Sequence, residues 1–226
     1  MPNLHLSKFT CQQCSFGAFC FGAEKSDIVT KHHHLKRKET LHLPGDVFKS
    51  FYAIQSGALK TFTTDVMSNE IIHGLYLQKE VYGYDAIYTE RYVFSAEALS
   101  ETVLCEIPYQ SFLQLLQKKP NLLSRMLYLM SQQLTVSSYL QLLTAQQKIA
   151  AFLLDLRNRL SPHSEDPSFL LPMAYQDIGD YLGLATETVS RILSLFKKNG
   201  MIAIDNKKIH LFKIKQLQSV VSGFPL

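Results

Sequence analysis

From about Glu39 to Pro108 the chain alternates apolar and polar positions in short runs: Leu41–Leu43, Ser50–Ile54, Ala58–Thr63, Ile71–Leu77, Val93–Ala98 and Val103–Ile107. Turn signals separate them, among them Pro44-Gly45-Asp46, Ser56-Gly57 and Met67-Ser68-Asn69. A period of two buries one face of each strand. Turns about every ten residues predict an antiparallel sandwich or roll.

Beyond this region the period lengthens. Pro120 and Pro162 bracket 41 residues that contain neither glycine nor proline. Leu123, Leu127, Met130 and Leu134 recur at helical spacing, and Leu129, Val136, Leu140 and Leu143 form a second stripe. A helix apolar on more than one side needs two partners. One is the roll of its own chain; the other is the same helix of a second copy, so a homodimer is expected. A helix over Lys148–Leu160 follows, then a polar loop over Ser161–Pro167, two short helices and a hairpin.

The two short helices lie within Tyr175–Asn199. Ile178, Tyr181 and Leu182 give the first its buried stripe, and Gly183 supplies the positive φ of a sharp helix-to-helix turn. Leu184 fills the elbow; Val189, Ile192, Leu193 and Phe196 form the inner face of the second helix. Its outer, N-terminal side then carries Glu187, Thr188, Ser190 and Arg191, a face suited to the major groove. Arg191 can bond guanine O6 and N7, Glu187 can accept from cytosine N4, and Ser190 can meet a thymine edge. Lys197 and Lys198 lie at the far end, placed for phosphates. Ala185 cannot cap this helix, which leaves Thr186 to do so one position later. Met201–Ile204 and Ile209–Phe212 alternate around Asp205-Asn206-Lys207-Lys208, a wing hairpin with lysines at its tip.

Composition narrows the class. The chain has 226 residues, 46% of them hydrophobic and 19% charged, enough for one large or two ordinary domains and too apolar for disorder. No run approaches the ~18 apolar residues of a spanning helix, and Met1–Lys8 lacks a secretory layout. A cytoplasmic protein without a membrane partner is expected. Charge sharpens the reading of the C-terminal end: Thr188–Val220 holds seven basic residues against the single acid Asp205, more than the whole chain's net charge of +4. A local positive field of this kind suits the phosphates of double-stranded DNA. No Ser/His/Asp arrangement, P-loop or G-x-G-x-x-G supports an enzyme, and Glu97 and Glu101 read as surface carboxylates.

Three of the four cysteines, Cys11, Cys14 and Cys20, fall within ten residues, and Cys105 stands far away. A disulfide framework does not suit a reducing compartment. Cys105 shares its strand face with Val103 and Ile107, which fits a small core side chain as well as a metal ligand. Zinc prefers two short paired knuckles and only one is present; four unevenly spaced thiolates are what an iron–sulfur cluster tolerates. His32-His33-His34 is a weaker metal candidate, since adjacent residues point in different directions.

Together these residues resemble the CRP/FNR family of bacterial transcription regulators, in particular its iron–sulfur, oxygen-sensing branch. The resemblance rests on C-x2-C-x5-C at Cys11, Cys14 and Cys20, L-P-G-D at Leu43–Asp46, S-F-Y-A-I-Q-S-G at Ser50–Gly57, the cysteine of V-L-C-E-I-P, and E-T-V-S-R at Glu187–Arg191. It implies an α+β fold: a cysteine-rich cluster-binding segment (1–24), an antiparallel β-roll of the cyclic-nucleotide-binding type (25–118), a dimerisation helix (119–146) and a winged helix-turn-helix (147–226). It further implies a [4Fe–4S] cluster on Cys11, Cys14, Cys20 and Cys105, and TTGAT half-sites read by Glu187, Ser190 and Arg191. RNA polymerase would be met by loops near Ser68 and Lys79. Members that bind cyclic nucleotides carry a glutamate directly after a glycine and an Arg-Ser pair. Here those stretches read Gly83-Tyr84-Asp85 and Phe94-Ser95-Ala96, so no cyclic-nucleotide response is expected.

Overall fold

The computed structural model describes residues 31–118, 121, 123–124, 126–128, 130–131, 142–161, 166 and 168–221. Cys11, Cys14 and Cys20, with most of the 119–146 segment, lie outside the described residues. The chain forms two compact units.

The first unit is the roll. One sheet has the order β1-β8-β3-β6, with β1 at Lys31–Leu35, β3 at Ser50–Ser56, β6 at Val81–Tyr82 and β8 at Thr102–Pro108. The other has the order β2-β7-β4-β5, with β2 at Thr40–His42, β4 at Ala58–Thr64, β5 at Glu70–Leu77 and β7 at Ser95–Ala98. The alternating runs thus become antiparallel strands. Phe51, Ile54, Leu59, Tyr82, Leu104 and Ile107 have no exposed surface, and the helix α1 (Tyr109–Lys118) adds Phe112 to the same core. Phe112 meets Phe51 edge to face at 5.0 Å.

Two strands escape the alternation rule. Within β1 only Leu35 is buried, so its pattern does not read as a strand; the ladder to β8 makes it one. The histidine run therefore lies in a strand. His33 turns to Glu106, with its Nε2 2.7 Å from Oε2, while His32 and His34 point the other way. Ser50 Oγ donates to the second carboxylate oxygen at 2.8 Å. Burial would raise the Glu106 pKa, but these bonds hold its carboxyl below the usual carboxylate range. Among the described residues no group of three possible metal ligands gathers. The two-residue β6 is too short to leave a period.

Glu97 departs from its expected surface position. It lies opposite Lys60 across the β4–β7 ladder, with 3.5 Å between Lys60 Nζ and Glu97 Oε1. The Lys60 side chain is 5% and the Glu97 side chain 17% exposed, so the pair is part-buried; Glu101 is exposed as expected.

Among the described residues of the 119–146 segment, positions 121, 123–124, 126–128 and 130–131 are helical, with Leu123, Leu127 and Tyr128 exposed. Leu129, Leu134, Val136 and Leu140 lie outside the described residues.

The second unit starts earlier than Lys148. Its first helix, α2 (Ala145–Leu160), is capped by Thr144 in a reciprocal box with Gln147. Gln147 N–H donates to Thr144 Oγ1 at 3.4 Å and Thr144 N–H to Gln147 Oε1 at 3.0 Å. The T-A-Q-Q sequence is a signature of this cap. The remaining elements are β9 (Ser168–Leu170), α3 (Tyr175–Leu182), α4 (Thr186–Lys198), β10 (Ile202–Asp205), β11 (Lys208–Leu211) and α5 (Ile214–Val220). Helix α2 packs on α4 and α5, and α4 on β10, burying Ile149, Phe152, Leu156, Val189, Phe196 and Leu217.

Candidate nucleic-acid interface

Helices α3 and α4 are joined by a tight turn shaped by two glycines. Gly183 ends α3 at φ 65°, ψ 46°, a left-handed conformation that glycine adopts without a steric penalty. The chain then folds back so tightly that Leu184 N–H donates to Gly179 O at 2.9 Å. A β-carbon on Gly179 would lie 2.5 Å from the Leu184 carbonyl oxygen. Gly179 is therefore held by lack of space and Gly183 is favoured by its backbone conformation. Gly179 was readable as a glycine inside a helical run, where it costs ~0.5–1 kcal/mol against alanine unless something requires it.

The inner face of α4 is formed by Val189, Ile192, Leu193 and Phe196, all buried. At 100° per residue, the opposite face carries Glu187, Ser190, Arg191, Ser194 and Lys198, all exposed. Lys197 is exposed as well, whereas Thr188 is half-buried at the edge between the two faces. Ser194 is an addition to the expected set, one turn beyond Ser190 and Arg191. Glu187 and Lys198 are separated by about 16 Å along the helix axis, so the acid-and-arginine end and the lysine end are distinct in space.

The helix begins at Thr186 with Ala185 as its N-cap and no side-chain cap bond. Thr186 is thus already helical, and the expectation that it caps is corrected. Backbone N–H groups at such an end suit an anion. Both helices of the motif finish on a lysine. Lys148 Nζ of α2 donates to Leu182 O at 2.8 Å, and Lys213 Nζ donates to Asn199 O at 3.2 Å.

The hairpin forms as expected, with Asp205 opposite Lys208 and Asn206-Lys207 as a two-residue turn in which Asn206 has φ 53°. Of its lysines, Lys207 is exposed at the tip. Lys208 belongs to β11 and is half-buried, 3.9 Å from Asp166 Oδ2. The hydrogen bond from Ser168, together with Lys208, holds the Asp166 carboxyl below its usual range. Strand β9 adds a third member to this sheet; at three residues it gave no readable period.

In the roll, Cys105 is 9% exposed on β8, with Ala53 and His32 as its neighbours across the two ladders. Glu106 points to the opposite face. Gly83 has φ 115° and opens a short 3-10 turn over Tyr84–Ala86. Burial raises the Asp85 carboxyl above its usual range. Phe94 stacks on His73 with 4.3 Å between centroids.

Comparison with known proteins agrees with both units. Residues 32–119 match the cyclic nucleotide-binding domain and residues 147–220 the Crp-like helix-turn-helix domain. The chain is 35% identical to the transcriptional activator protein Anr of Pseudomonas aeruginosa, over 99% of this chain and 95% of that one. It is also 35% identical to the fumarate and nitrate reduction regulatory protein of Escherichia coli K12, over 88% of this chain and 85% of that one. The structure of FixK2 from Bradyrhizobium japonicum superposes with a TM-score of 0.76 at 23% identity, covering 86% of this chain and 98% of the other. Among the described residues no helix is long and apolar enough to cross a membrane. A roll of cyclic-nucleotide-binding type followed by a winged helix-turn-helix, with relatives of this likeness over nearly the full length, places the chain in the CRP/FNR family of DNA-binding transcription regulators.

Proposed function

We propose that this chain is an oxygen-responsive regulator that binds palindromic TTGAT-type promoter sites as a homodimer. The observation that carries the DNA reading is the exposed face of α4. Arg191 offers a bidentate donor for guanine, Glu187 an acceptor for cytosine N4 and Ser190 a contact for thymine, with Lys197 and Lys198 at the phosphate end. Pairing of two chains sets two such helices about one DNA turn apart. Leu123 and Leu127, exposed at helical spacing, support that pairing.

Cys11, Cys14, Cys20 and Cys105 would hold a [4Fe–4S] cluster, which when bound supplies an oxygen-labile iron–sulfide core. Cys105 is the candidate ligand within the described residues, a thiol on β8 at 9% exposure with Ala53 opposite it. Four thiolates held together tie the N-terminal segment to β8. Losing that tie weakens pairing, and a single subunit keeps half of the phosphate contacts, on which affinity depends steeply. Relatives whose names refer to fumarate and nitrate reduction favour the same reading.

We place RNA polymerase at the turns near Ser68 and Lys79, where Val66 and Met67 are exposed on the β4–β5 hairpin. The roll is not a cyclic-nucleotide receptor in this reading: Phe94, stacked on His73, stands where a phosphate would need an arginine fork.

Anaerobic purification tests the proposal. Iron and acid-labile sulfide should accompany a brown protein whose visible absorbance bleaches as air is admitted, with specific DNA binding falling in parallel. Cys105→Ser should abolish colour and binding together. A colourless protein without iron overturns the sensing half and leaves a cluster-free DNA-binding regulator with Cys105 as a core side chain.

A further inference from the structure

We propose that Lys148 is a positioning residue for DNA reading: from α2 it fixes the elbow between α3 and α4, and so the aim of the recognition helix. This rests on the family's DNA binding and on neither the cluster nor the TTGAT half-site.

The location of the charge is the first argument. Lys148 sits in the opening turn of α2, four residues after the Thr144 cap, where the helix macrodipole disfavours a cation. Its ammonium does not stay there. It reaches the C-terminal carbonyl of α3, 2.8 Å from Leu182 O, where the α3 dipole favours a positive charge and a terminal carbonyl lacks an intrahelical donor.

The second argument is what lies beyond that carbonyl. Leu182 precedes Gly183, the left-handed residue of the elbow, and Lys148 Nζ is 4.0 Å from the point a Gly183 β-carbon would occupy. The turn has little freedom on its Gly179 side, where the Leu184 carbonyl closes against the helix. Lys148 holds its other side. Helix α2 also packs on α4, so the lysine and this packing together define where α4 points relative to α2. The Lys148 side chain is half-buried and its donor is engaged, which separates it from the exposed Lys197 and Lys198.

The test uses full-length chain prepared without air, a duplex that the wild-type protein selects from a randomised pool, and an unrelated duplex of equal length. Lys148→Met should weaken binding to the selected duplex about tenfold, the scale of losing one charge-assisted hydrogen bond. Binding to the unrelated duplex, and the slope of log affinity against log salt, should stay unchanged. Lys148→Arg, which keeps charge and donors, should restore most of the discrimination. A slope smaller by about 0.9 per subunit would identify Lys148 as a phosphate contact and overturn the proposal. Unchanged specific affinity, with only the unfolding midpoint lowered, would overturn it too. If Lys148→Met does not fold, Lys148→Arg decides: loss of discrimination equal to that of Arg191→Ala counts against a positioning role.

Discussion

The imidazole of His42 lies face to face with the ring of Tyr92, their centroids 3.6 Å apart and their planes 18° from parallel. Tyr82 stacks on the same imidazole at 5.3 Å. His42 belongs to one sheet of the roll and Tyr82 to the other, so the stack joins the two layers. His42 is 8% exposed, and neither of its nitrogens has a hydrogen-bond partner among the described residues. Burial pushes its pKa down to about 4, with Asp46 opposing only in part.

That depression makes the roll acid-sensitive. Between pH 6.5 and about 4 the unfolded chain binds a proton that the folded chain refuses, so stability falls as pH falls. The slope is ~1.4 kcal/mol per pH unit, and ~3 kcal/mol is lost by the lower end. Above pH 6.5 this residue contributes no slope. His42→Phe keeps an aromatic ring in the stack and removes the unpaired nitrogens, so it should flatten the curve and leave stability at pH 7.5 equal or higher. Urea unfolding followed by tyrosine fluorescence, which no tryptophan obscures, measures both. An equal slope in the variant would exclude His42 as the source.

The two glycines of the elbow should behave unequally. Gly183→Ala meets only Lys148 Nζ, at an ordinary contact distance of 4.0 Å, but must hold φ 65°, at a cost of ~1–2 kcal/mol. Gly179→Ala keeps an ordinary helical φ and drives a methyl group against the Leu184 carbonyl oxygen. Backbone has to move, so ~1–3 kcal/mol should be lost together with specific DNA binding. Thermal unfolding paired with a DNA shift assay distinguishes them. Normal DNA binding by Gly179→Ala would show that the turn accommodates the methyl group.

These positions also show what was legible in the sequence. Alternation exposed six strands of the roll, because apolar side chains recur on the core face of each. It could not expose β1, whose polar residues are ordered by pairing with β8 and by the His33–Glu106 bond. The outer face of α4 was readable as the complement of its buried stripe. Lys148 was not, since the carbonyl it serves is 34 positions away and no local rule points to it. The partial burial of Glu97 was missed for a related reason: its cation comes from a different strand, and a strand's period does not say that a carboxylate opposite the core face will find one.

The Lys60–Glu97 pair should respond as a part-buried ion pair. Glu97→Gln removes the carboxylate 3.5 Å from the Lys60 ammonium, and ~1–3 kcal/mol of stability should be lost. The double change Lys60→Met with Glu97→Leu should recover most of it, because apolar replacements of similar volume need no compensation. Chemical denaturation of the wild-type chain and the two variants measures both effects. A loss below ~1 kcal/mol in Glu97→Gln would mean that the pair is effectively solvated.

Arg191 and Lys198 lie on the same exposed face of α4 but should fail differently. Arg191 is placed for a base edge, so Arg191→Ala should cost ~1–3 kcal/mol at its guanine and relax preference at that position alone. Lys198 lies near the far end of the helix, where phosphate is the available partner. Lys198→Ala should weaken binding about equally for every sequence and reduce the salt slope by about 0.9 for each subunit. Competition titrations with single-base variants of the half-site, repeated at several salt concentrations, separate the two effects. If Arg191→Ala changed the salt slope and left base preference intact, α4 would lie along the phosphates rather than in the groove, and the assignment of Glu187 and Ser190 to bases would fall with it.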